Sequence, residues 1–161
     1  MGDATTPTGV SVKALAVIVD TAHRRHLVFR ASDRAGNEFN RPLGGTVELG
    51  ERTIDTVVRE IREELDATFV PEGLLGVVEN IFELDGEVGH EIHFLYVGSI
   101  TEVDVVPDGG RSFDDVGSPG WAEWRSITDP AAGVALYPDE LQGLLSAWID
   151  GGTRSTGRPA P

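Results

Sequence analysis

Three glutamates, Glu60, Glu63 and Glu64, stand at positions i, i+3 and i+4 of one continuous segment. On a helix turning about 100° per residue, their directions fall within about 100° of one another. Three carboxylates on one flank repel each other and weaken the helix unless a cation neutralises them. Oxygen-only ligands suit a hard divalent ion such as Mg²⁺ or Mn²⁺. The plainer reading is a solvated acidic face paired with Arg59 and Arg62.

The helix that must carry them is legible from its apolar stripe. Ile54, Val57, Val58, Ile61 and Leu65 fall at helical spacing, with Thr53 placed as N-cap and Asp66 directly after the last stripe residue. The glutamates centre roughly 120° from the middle of that stripe. Just upstream, Leu43–Gly50 holds Gly44, Gly45 and Gly50. It reads as a loop whose backbone turns sharply or approaches something closely.

Taken together, Gly45, five residues, Glu51, seven residues, then Arg59-Glu60-Ile61-Arg62-Glu63-Glu64 resembles the Nudix box of the Nudix hydrolases. Pro42-Leu43-Gly44-Gly45 looks like the family's entry to the box. The match runs from Gly45 to Ala67 and departs at one position, where Asp66 replaces the usual glycine. Glycine suits a left-handed helix end, and Asp tolerates that conformation moderately well, so a small stability penalty is expected.

The resemblance implies that Glu60, Glu63 and Glu64 ligate Mg²⁺ (or Mn²⁺), with a backbone carbonyl from Gly44-Gly45. Glu51 and Arg59 would hold loop and helix together, Glu51 also being within possible reach of a metal. The implied reaction is attack of water on a phosphorus of a diphosphate joined to another group. The general base would be a box glutamate, Glu60 or Glu64, or a carboxylate downstream among Glu102, Asp104, Asp108, Asp114 and Asp115. Asp114-Asp115, beside Phe113, is the first choice.

Further side chains are candidates for substrate contacts. Arg41 could pair with a phosphate as a fork, or with a nearby glutamate. Glu79-Asn80 and His90-Glu91 either end a turn facing solvent or are brought by a hairpin towards the box, where His90 could bond a phosphate. His23 and His26 flank a turn and are expected to face solvent, while His93 reads as a structural histidine. Trp121 and Trp124 read as core residues.

Around these, Lys13–Asp20, His26–Ala31, Glu38–Pro42, Gly73–Leu84, Glu91–Ser99 and Trp121–Arg125 read as strands. Thr101–Gly120 reads as a long acidic loop. Leu141, Leu144, Leu145 and Trp148 give a final helix introduced by Pro138 and Asp139. Strands on both sides of a helix, with a second helix at the end, indicate an α/β or α+β arrangement. The resemblance makes it an α/β/α sandwich with a mixed sheet between helices. We expect a flexible segment at 1–10, one domain over 11–150 and a disordered tail at 151–161.

Composition excludes several function classes. The 161 residues contain no cysteine, so disulfides, thiolate zinc sites and cysteine nucleophiles are absent. With 13 Lys and Arg against 27 Asp and Glu, the net charge of −14 repels a nucleic-acid polymer. A small nucleoside diphosphate-type substrate fits once cations lie between it and the carboxylates. No apolar run approaches the ~20 residues of a membrane span. The cytoplasm is the expected location, and a homodimer, common among such proteins, is compatible. Two rival readings share the fold: a catalytically silent nucleotide sensor, which would be expected to lose ligand glutamates, and an isopentenyl diphosphate isomerase, which would need a cysteine.

Overall fold

Strand β1 (Ser11–Asp20) is apolar at nearly every position because both of its faces are buried. Ala14, Ala16 and Ile18 point into one hydrophobic cluster, and Leu15, Val17 and Val19 into another. The computed structural model, which describes residues 9–102, 104–115, 117–129 and 133–152, builds both layers around this strand. The expected flexible segment at 1–10 and tail at 151–161 lie mostly outside the described residues. Gly151 and Gly152, assigned to the tail, instead close the final helix.

Among the described residues eight further strands follow: β2 (Arg25–Ser32), β3 (Glu38–Arg41), β4 (Leu43–Thr46), β5 (Phe69–Leu84), β6 (Glu87–Ile100), β7 (Arg111–Asp115), β8 (Ser118–Ser126) and β9 (Ala135–Leu136). One branch runs β5-β6-β1, with β4 also paired to β1. The other runs β7-β8-β2-β3-β9, and the two join where the end of β1 pairs with β2. Strand β1 is parallel to β6 and antiparallel to β2 and β4, so the sheet is mixed, as expected.

Among the described residues, two helices cover it. Helix α1 (Thr53–Leu65) buries Val57, Ile61 and Leu65 against the first cluster. Helix α2 (Leu141–Gly152) buries Leu141, Leu145 and Ile149 against the second. Each such side chain taken from water contributes roughly 1.5–3 kcal/mol. The N-cap position of α1 is Arg52 rather than Thr53, with no side-chain cap. The Thr53 hydroxyl is engaged with the Tyr96 hydroxyl at 2.7 Å, which removes it from the capping role.

Four expectations change. Leu43–Thr46 is a strand, not a loop, because its glycines let it lie against β1. Arg111–Asp115, inside the expected acidic loop, pairs with β8; only Phe113 of its five residues is apolar and buried, too little for alternation to show. Trp121 is 37% exposed, while Trp124 packs beside the first cluster and donates Nε1–H to the Val106 carbonyl at 3.0 Å. His26 is 0% exposed, with neither ring nitrogen hydrogen-bonded. Its position directly before Leu27 and Val28 draws it inside with β2.

Two predictions follow from these elements. Asp66 sits at φ 52°, ψ 39°, the left-handed end that the helix requires, with its N–H bonded to the Arg62 carbonyl at 3.0 Å. Asp66→Gly relieves that strain and is expected to raise stability by about 0.5–1 kcal/mol, read as an upward shift of the urea midpoint. Burial, with the Arg125 charge nearby, pushes the His26 imidazole down to about 3. Below about 6.5 the unfolded chain takes up a proton that the folded one refuses, so stability present above that pH is lost progressively towards about 3. Between pH 7 and pH 5, His26→Leu is therefore expected to lose about 2 kcal/mol less than the wild type in urea titrations.

Candidate active site

Strand β4 runs so close to β1 at Gly44 that a side chain there is excluded. A Cβ on Gly44, at φ 136°, would lie 2.2 Å from the Ala14 carbonyl oxygen. A Cβ on Gly45 would lie 2.3 Å from the Glu60 carboxyl carbon. The acidic flank of α1 is thus pressed onto a bare backbone.

Arg59 organises the carboxylates there. Its Nε and Nη2 donate to the two oxygens of Glu51 at 2.8 and 3.0 Å. Its Nη1 donates to Glu60 at 2.8 Å and to Glu63 at 3.2 Å. The Arg59 hydrogen bonds, with help from Thr56, hold the Glu51 carboxyl well below the usual range, and Glu51 in turn raises Arg59. Glu51, on the segment before α1, is thereby tied to the helix.

Glu64 is different. It is 8% exposed, and its Oε2 has no hydrogen-bond partner. Desolvation pushes its carboxyl up to about 8; Arg41 opposes the shift, and Asp115 and Glu60 add to it. A cation beside such a buried carboxyl would favour its charged form. Among the described residues, no three acidic or histidine side chains converge closely enough to hold an ion as they stand. Glu51, Glu60 and Glu63 are turned onto Arg59 instead. The donor set still suits a hard cation: carboxylate oxygens only, one of them buried and orphaned, beside a glycine backbone.

The site opens into a cleft of about 1070 Å³. At its inner end lie Gly44, Gly45, Arg59, Glu60 and Glu63. Arg41 and Asp115 follow, 3.4 Å apart, with the Arg41 guanidinium stacked 4.5 Å over the Phe29 ring. Asp114 does not share this position. Alternation along β7 turns it away, and it accepts the Gly117 N–H at 2.6 Å. Of the other downstream acids, Glu102 is engaged by Thr68 and Asp108 by Arg25.

Glu91 lines the cleft and Asn80 faces the same way, as its cross-strand partner. Glu79 and His90 do not. Period-two alternation puts them on the opposite face of the β5–β6 hairpin, where they pair with each other at 2.9 Å. The expectation that this pair approaches the box is corrected accordingly.

Several cleft residues escaped the sequence reading. Lys13 donates to the Thr46 hydroxyl at 2.7 Å and lies 3.7 Å from Glu91. His93, 5% exposed, shares a 2.7 Å hydrogen bond with Glu91. Burial raises Glu91, but His93 and Lys13 outweigh it and leave the carboxyl below its ordinary value. Lys13 carried a signal, a charge opening an apolar strand two positions before Leu15. Phe39, Phe82 and Tyr137 line the outer end without any such signal.

A family model described as the NUDIX domain matches residues 10–141. No curated protein matches the chain. Among solved structures, a NUDIX hydrolase from Nitrosomonas europaea is 24% identical with a TM-score of 0.63, covering 89% of this chain and 90% of its own. A MutT NUDIX hydrolase from Burkholderia pseudomallei is 22% identical with a TM-score of 0.58, covering 86% and 97%. A MutT protein from Methanosarcina mazei is 20% identical with a TM-score of 0.61, covering 92% and 98%. At these identities the structures attest to a common fold. The model's span, together with an acidic helix laid on a glycine strand, makes this chain a member of the Nudix family.

Proposed function

We propose that the chain is a divalent-metal-dependent pyrophosphohydrolase, cleaving the diphosphate of a nucleoside diphosphate joined to another group by attack of water on phosphorus. The observation that carries this reading is Glu64, a buried carboxylate with an unpartnered oxygen, beside Glu60 and Glu63 on the helix that faces Gly44-Gly45. Nudix hydrolases work with divalent metal ions, and here Glu60, Glu63 and Glu64 would hold Mg²⁺ or Mn²⁺, with Glu51 and the Gly44 backbone adjoining. The ion supplies neutralisation of phosphate oxygens and an acidified water.

The chain's own groups divide the remaining work. Arg59 holds Glu60 and Glu63 in place by hydrogen bonds from one nitrogen. Arg41 and Lys13 line the cleft as cations for substrate oxygens, Arg41 with the planar fork suited to phosphate. Asp115, which lines the cleft next to Arg41, would be the downstream carboxylate that takes a proton from water. The substrate is a small molecule, since the acidic surface repels a polymer of phosphates.

The test is a hydrolysis screen with Mg²⁺ and separately Mn²⁺ over ADP-ribose, NADH, dinucleoside polyphosphates, nucleotide sugars, coenzyme A and nucleoside triphosphates. One class is expected to turn over, and Glu64→Gln, which removes a ligand charge and keeps the shape, to lower that turnover at least about 100-fold while leaving the fold intact. An unchanged rate in this variant would overturn the assignment of the helix face. Silence across the panel, with normal metal binding, would favour the sensor reading.

A further inference from the structure

The floor of the cleft carries a row of polar side chains with unused hydrogen-bonding capacity. Thr46, Lys13 and His93 stand side by side on β4, β1 and β6. Glu91, two residues before His93, is the cross-strand partner of Asn80 on β5. All five line the cleft, and strand alternation keeps Glu91 and His93 on one face of β6. Neither Glu91 nor Asn80 belongs to a hydrophobic cluster, so packing alone does not account for them.

Glu91 has one oxygen engaged and one free. Its Oε2 shares the 2.7 Å bond with the buried His93, while Oε1 lies 3.7 Å from the Lys13 ammonium, too far for a hydrogen bond. Lys13 gives one of its three N–H groups to the Thr46 hydroxyl at 2.7 Å. Among the described residues the Asn80 amide has no hydrogen-bond partner. A hydroxyl group suits the gap between Lys13 and Glu91, because it accepts from the ammonium and donates to the carboxylate. Burial opposes the charge on Glu91, but His93 and Lys13 keep it an ion, which can only accept. The Asn80 amide beside it both donates and accepts, so a second hydroxyl on the adjoining carbon finds a partner too. The Arg41 charge acts on Glu64 and on Glu91 alike, which sets its fork where the box meets this floor. A ligand with a phosphate on Arg41 therefore carries its next group, a sugar, towards Glu91 and Asn80.

Resting on the hydrolase reading above, we propose that Lys13, Glu91 and Asn80 form a hydroxyl-reading subsite on the cleft floor. It takes the vicinal diol of a sugar joined to the diphosphate, so a ribosyl ligand is favoured over its deoxy counterparts. Discrimination arises because a ring without those hydroxyls covers Lys13 and Glu91 and leaves them without hydrogen-bond partners.

The test uses AMP, 2′-deoxy-AMP and 2′,3′-dideoxy-AMP, with Mg²⁺ present, in calorimetric titrations of the full chain. The three share base and phosphate, so their differences report the hydroxyls alone. None contains a phosphoanhydride, so binding is read whether or not the protein hydrolyses anything. AMP is expected to bind at least about tenfold more tightly than either deoxy form. Glu91→Gln keeps the shape of the side chain and replaces an acceptor, and Asn80→Ala breaks no hydrogen bond of the fold. Each is expected to bring the ratio of AMP to 2′,3′-dideoxy-AMP affinity to within about threefold of one, a change that a loss of folded protein or of phosphate attraction, acting on both ligands together, does not produce. Equal binding of AMP and 2′,3′-dideoxy-AMP, a preference undiminished in Glu91→Gln or in Asn80→Ala, or no binding of any probe would each overturn the proposal. A chain that turns over a diphosphate in the screen yet binds the ribo and deoxy forms alike would lose this subsite and keep the hydrolase reading.

Discussion

Carboxylates held close together repel, and much of this molecule is arranged around that repulsion. Four of them, Glu51, Glu60, Glu63 and Glu64, gather between one helix and the glycine strand beside it. Arg59 offsets three by direct hydrogen bonds. The fourth, Glu64, is covered by protein and left with an orphaned oxygen. Such an arrangement persists only because α1 is anchored on its other face by Val57, Ile61 and Leu65, all fully buried. Hydrophobic packing on one side of the helix thus sustains electrostatic stress on the other.

The glycines make the same point from the opposite direction. Gly44 allows β4 to approach β1, and Gly45 allows the Glu60 carboxylate to approach β4. The lack of side chains at these two positions brings an acidic surface directly against backbone. The guanidinium of Arg59 bridges Glu51, Glu60 and Glu63.

What was legible in the sequence follows from how strongly each position constrains its neighbours. The stripe of α1, the apolar run of β1 and the spacing of the acidic residues are dense patterns, each supported by several residues at once. The left-handed end at Asp66 could be read because the box that this segment resembles carries glycine there. By contrast, β7 contains one buried apolar residue, and its strand character comes from pairing with β8. Glu79 and His90 look alike to Asn80 and Glu91 in sequence, and only the pleat decides which of them reach the cleft. His26 sits next to a turn and yet is wholly buried, because its neighbours Leu27 and Val28 serve the two opposite clusters. The aromatic end of the cleft is assembled from β3, β5 and the segment after β9, and no local pattern links such distant positions.

Strand β1 contributes alternate residues to both hydrophobic clusters and hydrogen-bonds to β2, β4 and β6. The two clusters are therefore not independent reservoirs of stability. Loosening either one withdraws support from the strand that seats the other, so the layer under α2 and the layer under the acidic helix come apart in one cooperative transition. Damage far from the cleft, on the α2 side, would then be felt at the carboxylates through shared unfolding rather than through any change in their geometry.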